Sequence, residues 1–157
     1  MNKTRSVKDV MNPDVMTVTD EMTTGELARY LTEHEISGAP VVDSQGHLIG
    51  VVSMTDIGRH MAEPSELESS NGAGFYLGSA EDVALEDFGQ RYVEQSETTV
   101  RDVMTPVIHQ VSVTASFAEA ARLMVDHHIH RLVVTQGKEP VGIITSLDLL
   151  KVVAEQP

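Results

Sequence analysis

Two short constellations have the residue types to hold a ligand: Ser53-x-x-Asp56 and Thr145-x-x-Asp148, each directly after a run of β-branched residues. A hydroxyl followed three positions later by a carboxylate marks a helix start, where backbone N–H groups lack intrahelical partners and the helix dipole is positive. Such a junction attracts anions. The same pattern can be a plain helix cap, in which hydroxyl and carboxylate satisfy the first amides and do nothing else. A second feature is His130-Arg131, ahead of the apolar run Leu132-Val133-Val134. The planar fork of arginine can give one phosphate two charge-assisted hydrogen bonds; the plainer reading is a surface pair preceding an inner strand. His127, His128 and His130 raise metal binding. At a helix end, however, positions i, i+1 and i+3 do not share a direction, and the chain has no cysteine to complete a zinc set. No metal is expected.

Catalysis finds little support in the same inventory. Without cysteine there is no thiolate nucleophile, and G-x-S-x-G, P-loop and H-E-x-x-H patterns are all missing. The expectation is a chain that binds rather than turns over.

The elements that position these residues come from an internal repeat. VKDVMNP at 7–13 recurs as VRDVMTP at 100–106, and Glu26-Leu27-Ala28-Arg29 recurs as Glu119-Ala120-Ala121-Arg122. After a one-residue gap, Gly50-Val51-Val52-Ser53 to Asp56 matches Gly142-Ile143-Ile144-Thr145 to Asp148. Each copy reads locally as β-α-β-β-α. A β-leaning run (Val15 to Thr19, Val107 to Val113) leads to a capping box, Thr23-x-x-Glu26 or Ser116-x-x-Glu119. Phe117, Ala120, Ala121 and Met124 form an apolar helical stripe. Two strands follow, joined by Asp43-Ser44-Gln45-Gly46 in the first copy and Gln136-Gly137-Lys138-Glu139 in the second. A closing helix follows Asp56 and Asp148. The fold class expected is α/β (α+β), with two pseudo-twofold-related units packed through their sheets and equivalent clefts between them. The boundaries are 1–61 for the first repeat, 62–98 for a linker and 99–157 for the second repeat.

Charge narrows the partners. The chain has 157 residues, is 41% hydrophobic, and carries a formal net charge of −13, enough apolar content for a core and enough acidity to disfavour nucleic acid or an anionic membrane. A nucleotide site in such a chain needs local positive charge. No apolar run is long enough to span a bilayer, and the first residues lack a signal peptide's apolar stretch, so a cytoplasmic location is expected. Residues 62–98 hold nine acidic side chains against Arg91. Glu63 to Gly78 reads as a loop, and Ala80 to Gln95 as a short helix with Leu85, Phe88 and Tyr92 on one face. This segment is either a solvated acidic linker or a lid or docking element.

The repeated unit resembles the cystathionine β-synthase (CBS) domain, and the chain resembles a tandem CBS pair, or Bateman module, of the stand-alone type. The resemblance rests on D-V-M-x-P, the strand pairs SGAPVVD and HRLVVTQ, and the closing G-h-h-[ST]-x-x-D, where h is apolar. It implies a regulatory module that binds AMP, ADP or ATP, requires no cofactor and forms a homodimer acting on an unknown regulated protein. S-adenosylmethionine or NAD-type ligands are alternatives, as is a ligand-free interaction module. By the same resemblance Ser53 and Thr145 would meet phosphate, and Asp56 and Asp148 the ribose hydroxyls. The stretch around His130 and Arg131 resembles the nucleotide-sensing γ subunit of AMP-activated protein kinase, which implies phosphate contact. The first copy has Ser37-Gly38 there, so unequal sites are expected. Adenine would lie against Val18, Thr19, Val111, Ser112, Ile36, Val52, Ile129 and Ile144, with Met11 and Met104 in the core.

Overall fold

The protein is described here from a computed structural model covering residues 5–61, 75–76, 97–106 and 109–156. The helix expected over Ala80–Gln95 lies outside the described residues, as does most of the loop before it.

Both copies fold as the repeat predicts. In the first, β1 (Val18–Thr19), α1 (Thr24–Glu33), β2 (Gly38–Val42), β3 (Leu48–Ser53) and α2 (Met54–Met61) follow one another. A short helix α3 (Val100–Val103) opens the second copy, followed by β4 (Gln110–Ser112), α4 (Phe117–His127), β5 (Arg131–Gln136), β6 (Glu139–Thr145) and α5 (Ser146–Ala154). Each set makes a three-stranded sheet in sequence order, its first pair parallel and its second antiparallel. β1 and β4 are shorter than the β-leaning runs, because each is strand only where it pairs with its parallel neighbour, as Val18 does with Val41 and Val111 with Val134.

Local chemistry explains the boundaries. The Thr23 hydroxyl accepts from the Glu26 amide at 3.1 Å and the Glu26 carboxylate accepts from the Thr23 amide at 3.2 Å, the expected capping box. Ser116 caps α4 in the same way at 3.2 Å, but no return bond from the Glu119 side chain closes a box. Glu119 is exposed. The β2–β3 turn forms as expected: Asp43 Oδ1 accepts from the amides of Gln45 and His47, both at 2.9 Å, and Gly46 takes φ +81°. Helices α1 and α4 both end on a left-handed non-glycine residue, Glu35 and His128, each at φ 54°. The next amides, of Ile36 and Ile129, then reach back to Leu31 and Met124, both at 3.0 Å. This closure sets the path into Ser37 and His130.

Packing divides the chain differently from the repeat boundaries. One compact unit holds 1–15 with 108–157, and the other holds Met16–Val107. The leading segment of each repeat therefore packs in the unit that carries the other repeat's sheet. In one unit Asn12 and Ile143 exchange backbone hydrogen bonds of 2.8 and 3.0 Å; in the other Thr105 and Val51 exchange bonds of 2.9 and 2.8 Å. Gly142 and Gly50 make that approach possible. A Cβ on Gly142 would lie 2.6 Å from Met11 Sδ and 2.8 Å from the Asn12 carbonyl oxygen, and one on Gly50 would lie 2.7 Å from the Thr105 carbonyl oxygen.

Each unit has its own core. Val18, Leu27, Leu31, Val41, Val52, Ile57 and Val100 are buried together in one. Val111, Ala120, Met124, Leu132, Val134, Ile144 and Val152 are buried in the other. Among the described residues no helix is long and apolar enough to cross a membrane.

Candidate functional site

The two strand-to-helix junctions are built alike and differ in what remains accessible. In the unit holding β4–β6, the Thr145 amide donates to Asp148 Oδ2 at 2.9 Å, and the Asp148 amide donates to Thr145 Oγ1 at 3.2 Å. The next amide, of Ser146, donates to the His130 carbonyl at 2.9 Å. Two of the first-turn amides are thus committed, fewer being left for an anion than the motif suggests. Directed donors must come from side chains. The candidate is Arg131, the cross-strand partner of Thr145. Directly paired residues of an antiparallel ladder share a face, with Cβ atoms about 4.5–5.5 Å apart. The β5–β6 hairpin thereby sets the Arg131 and Thr145 side chains on one face of the sheet. Asp148 keeps 20% of its side chain exposed, and Lys151 Nζ stands 4.0 Å from its Oδ1.

In the unit holding β1–β3, the Ser53 amide and hydroxyl both donate to Asp56 Oδ2, at 2.8 and 3.1 Å, and the Asp56 amide lies 3.4 Å from Ser53 Oγ. Arg59 Nη1 takes the other carboxylate oxygen at 3.4 Å. Ser53 and Asp56 are buried, and burial raises the Asp56 pKa above its ordinary value, against the opposing pull of the Ser53 bonds and Arg59. The Met54 amide donates to the Ser37 carbonyl at 3.0 Å, the counterpart of the His130 bond. Gly38 pairs with Ser53 where Arg131 pairs with Thr145. No cation stands at that strand position in this copy, as the sequence implied.

The remaining candidates separate by burial. His130, Thr19 and Ser112 are exposed, and Arg131, Ile36 and Ser37 are half-buried. Ser112 Oγ is engaged with Thr114, whose hydroxyl lies at 3.0 Å and whose amide donates at 3.3 Å. Val52 and Ile144 have no exposed surface, and Val18, Val111 and Ile129 are also buried, so these five contribute packing in this conformation. His127 and His128 are exposed, the former with its ring tilted 44° to that of His109 and ring centroids 4.5 Å apart. Burial, with His127 as the lesser cause, lowers the His109 pKa from its ordinary value. Among the described residues no three potential ligands are grouped to hold a metal.

The sequence reading overlooked a second pair of hydroxyl–carboxylate starts. The Ser6 amide donates to Asp9 Oδ2 at 2.7 Å, and the Thr99 amide to Asp102 Oδ2 at 3.0 Å. The aspartate of each D-V-M segment is therefore a local cap, and the signal for it is the [ST]-V-[KR]-D spacing in both copies. Also overlooked was Asp20, buried and held by the Arg101 guanidinium, which fastens α3 to the end of β1.

Comparison with known proteins agrees with this architecture. The CBS domain family matches residues 7–63 and 100–155. The uncharacterized protein MJ1404 of Methanocaldococcus jannaschii is 27% identical over 98% of this chain, which spans 33% of that protein's length. The crystal structure of the CBS domain of a CBS domain containing membrane protein from Sphaerobacter thermophilus is 32% identical, with a TM-score of 0.65 over 93% of this chain and 86% of that one. The crystal structure of CBSX2 in complex with AMP superposes with a TM-score of 0.68 over 96% of this chain and 97% of that one; at 22% identity it speaks to the fold. With a family match in each copy and a solved relative sharing nearly a third of its residues, this chain belongs to the CBS domain family and carries two of its repeats.

Proposed function

We propose that the chain is a non-catalytic cytoplasmic regulatory module that binds adenosine phosphates (AMP, ADP or ATP) on the unit holding β4–β6. The observation that carries this reading is the cross-strand pairing of Arg131 with Thr145, beside the part-exposed Asp148. Arg131, with His130 next to it, binds phosphate oxygens. Asp148 accepts from the ribose hydroxyls, a role that suits a carboxylate able to repel phosphate and so orient the ligand. The base lies towards Ser112. That CBSX2 has been crystallised with AMP supports an adenosine ligand for this fold. We further propose a homodimer, because Leu147, Leu150 and Val153 are 61%, 61% and 66% exposed at helical spacing along α5.

Ligand-induced thermal shift tests the sensor reading. A ligand at 100 times its dissociation constant adds about 2.7 kcal/mol of apparent stability. For a chain of this size that is a rise in Tm of about 5–11 °C. AMP, ADP or ATP should give the shift, GMP much less, and Arg131→Ala or Asp148→Asn should abolish it. A shift with S-adenosylmethionine alone would replace the phosphate with a different ligand. No shift with any adenosine compound, or a full shift in Arg131→Ala, would overturn the assignment.

A further inference from the structure

The two junctions share one backbone plan, yet only one of them has its strand position open. Gly38 occupies the place of Arg131, and nothing larger than hydrogen fits there: a Cβ would lie 2.7 Å from the Val52 carbonyl oxygen and 3.2 Å from Ser53 Cβ. The third neighbour is unexpected, for the Phe75 ring comes from the segment between the repeats and stands 3.1 Å from that same point. Phe75 and Tyr76 are each only 1% exposed and pack edge to face, with ring centroids 5.1 Å apart at 87°. In a segment whose composition reads as solvated, two consecutive aromatic side chains are buried, the first of them against the Gly38 position. Ser53 and Asp56 beside them are buried too, and the Asp56 carboxylate is engaged by Ser53 and Arg59.

We propose that Phe75, backed by Tyr76, is a built-in occupant of the first repeat's junction: an aromatic ring from the chain itself fills the position that corresponds to the phosphate place of the second repeat. The inference rests on the adenosine-phosphate reading of the second repeat and adds two things to it. The chain binds one nucleotide, not two, and the residue that decides this is Phe75. Glycine at position 38 is then a fit to the ring as well as the loss of a cation. The junction in the first repeat is kept closed from within, and withdrawal of Phe75 exposes a second, weaker site in which the Arg59 cation is already engaged by Asp56.

Stoichiometry of AMP binding to the full chain, read by isothermal titration calorimetry, tests this. Wild type should bind one AMP per chain and Arg131→Ala none. Phe75→Ala should bind two, and Phe75→Ala with Arg131→Ala should bind one, lost again on adding Asp56→Asn. Phe75→Leu, which keeps an apolar side chain while vacating the ring, carries the same test if Phe75→Ala does not fold. A folded Phe75 variant that still binds one AMP with wild-type affinity would overturn the inference and leave the second-repeat reading intact. Two AMP per wild-type chain would overturn it as well. No binding to wild type with one AMP on Phe75→Ala would uphold the occupant and sink the second-repeat reading; no binding to either sinks both.

Discussion

Replacing Gly142 by alanine is a direct probe of how each leading segment is held. The new methyl group would sit 2.8 Å from the Asn12 carbonyl oxygen and 2.6 Å from Met11 Sδ. The thioether can swing aside, but the carbonyl cannot, because Asn12 is fixed to Ile143 by bonds of 2.8 and 3.0 Å. Restoring ordinary contact needs a shift of roughly 0.5 Å, and overpacking of this kind costs about 1–3 kcal/mol. Stretching the two backbone bonds adds a fraction of the ~1 kcal/mol each contributes. The smaller entropy of the unfolded alanine chain returns about 0.4–1 kcal/mol. The net loss is about 2 kcal/mol, or a fall in Tm of about 4–8 °C at this chain length. Thermal and urea melts of Gly142→Ala measure it, with Gly58→Ala as the control. Gly58 lies within α2 with nothing within 4 Å of its Cβ position, so its alanine should stabilise by about 0.8–1.0 kcal/mol. Adding Met11→Ala should relieve only the sulfur contact. A Gly142→Ala protein that melts at or above wild type would show that the segment is not clamped as described.

Two other outcomes follow from side chains already placed. His109 is held below its usual pKa of 6.5, so its folded form binds protons less readily than the unfolded chain does. Stability is therefore present in full above pH 6.5 and is lost as pH falls through the lowered value; NMR titration of the His109 ring should show that value move part of the way back in His127→Asn, with His109→Asn flattening the pH dependence. An unchanged ring titration in His127→Asn would remove the neighbour's contribution. For the proposed homodimer, Leu150→Asp on α5 should shift the sedimentation profile from dimer to monomer while leaving the circular dichroism spectrum unchanged; a dimer that persists would place the interface elsewhere.

The repeat made most of the fold legible. Cap residues, β-branched runs and the Asp43–Gly46 turn are local signals, and each became the element it specified. The junction residues were equally legible in type and spacing, since Ser53, Asp56, Thr145 and Asp148 all form the caps that their pattern allows. What spacing could not convey was how far those caps engage the amides and side chains of the junction. Asp56 and Asp148 look equivalent in sequence, yet burial and Arg59 close one while the other keeps an exposed edge. Val52 and Ile144, expected as walls, have no exposed surface; apolar strand residues can face either a cleft or a core, and spacing does not distinguish the two. Phe75 escaped notice because its contact with Gly38 spans a stretch of acidic, loop-like composition with no periodic pattern.

The traded leading segments carry a lesson about ancestry and assembly. Met16–Val107 is one continuous stretch, whereas the other unit is stitched from the two ends of the chain. A forebear with a single repeat could not finish its sheet edge alone if it kept this arrangement. It would have had to lend its first dozen residues to a sister molecule and borrow hers. Tandem duplication turns that loan into an intramolecular event at millimolar effective concentration, so the pair no longer depends on how abundant the protein is.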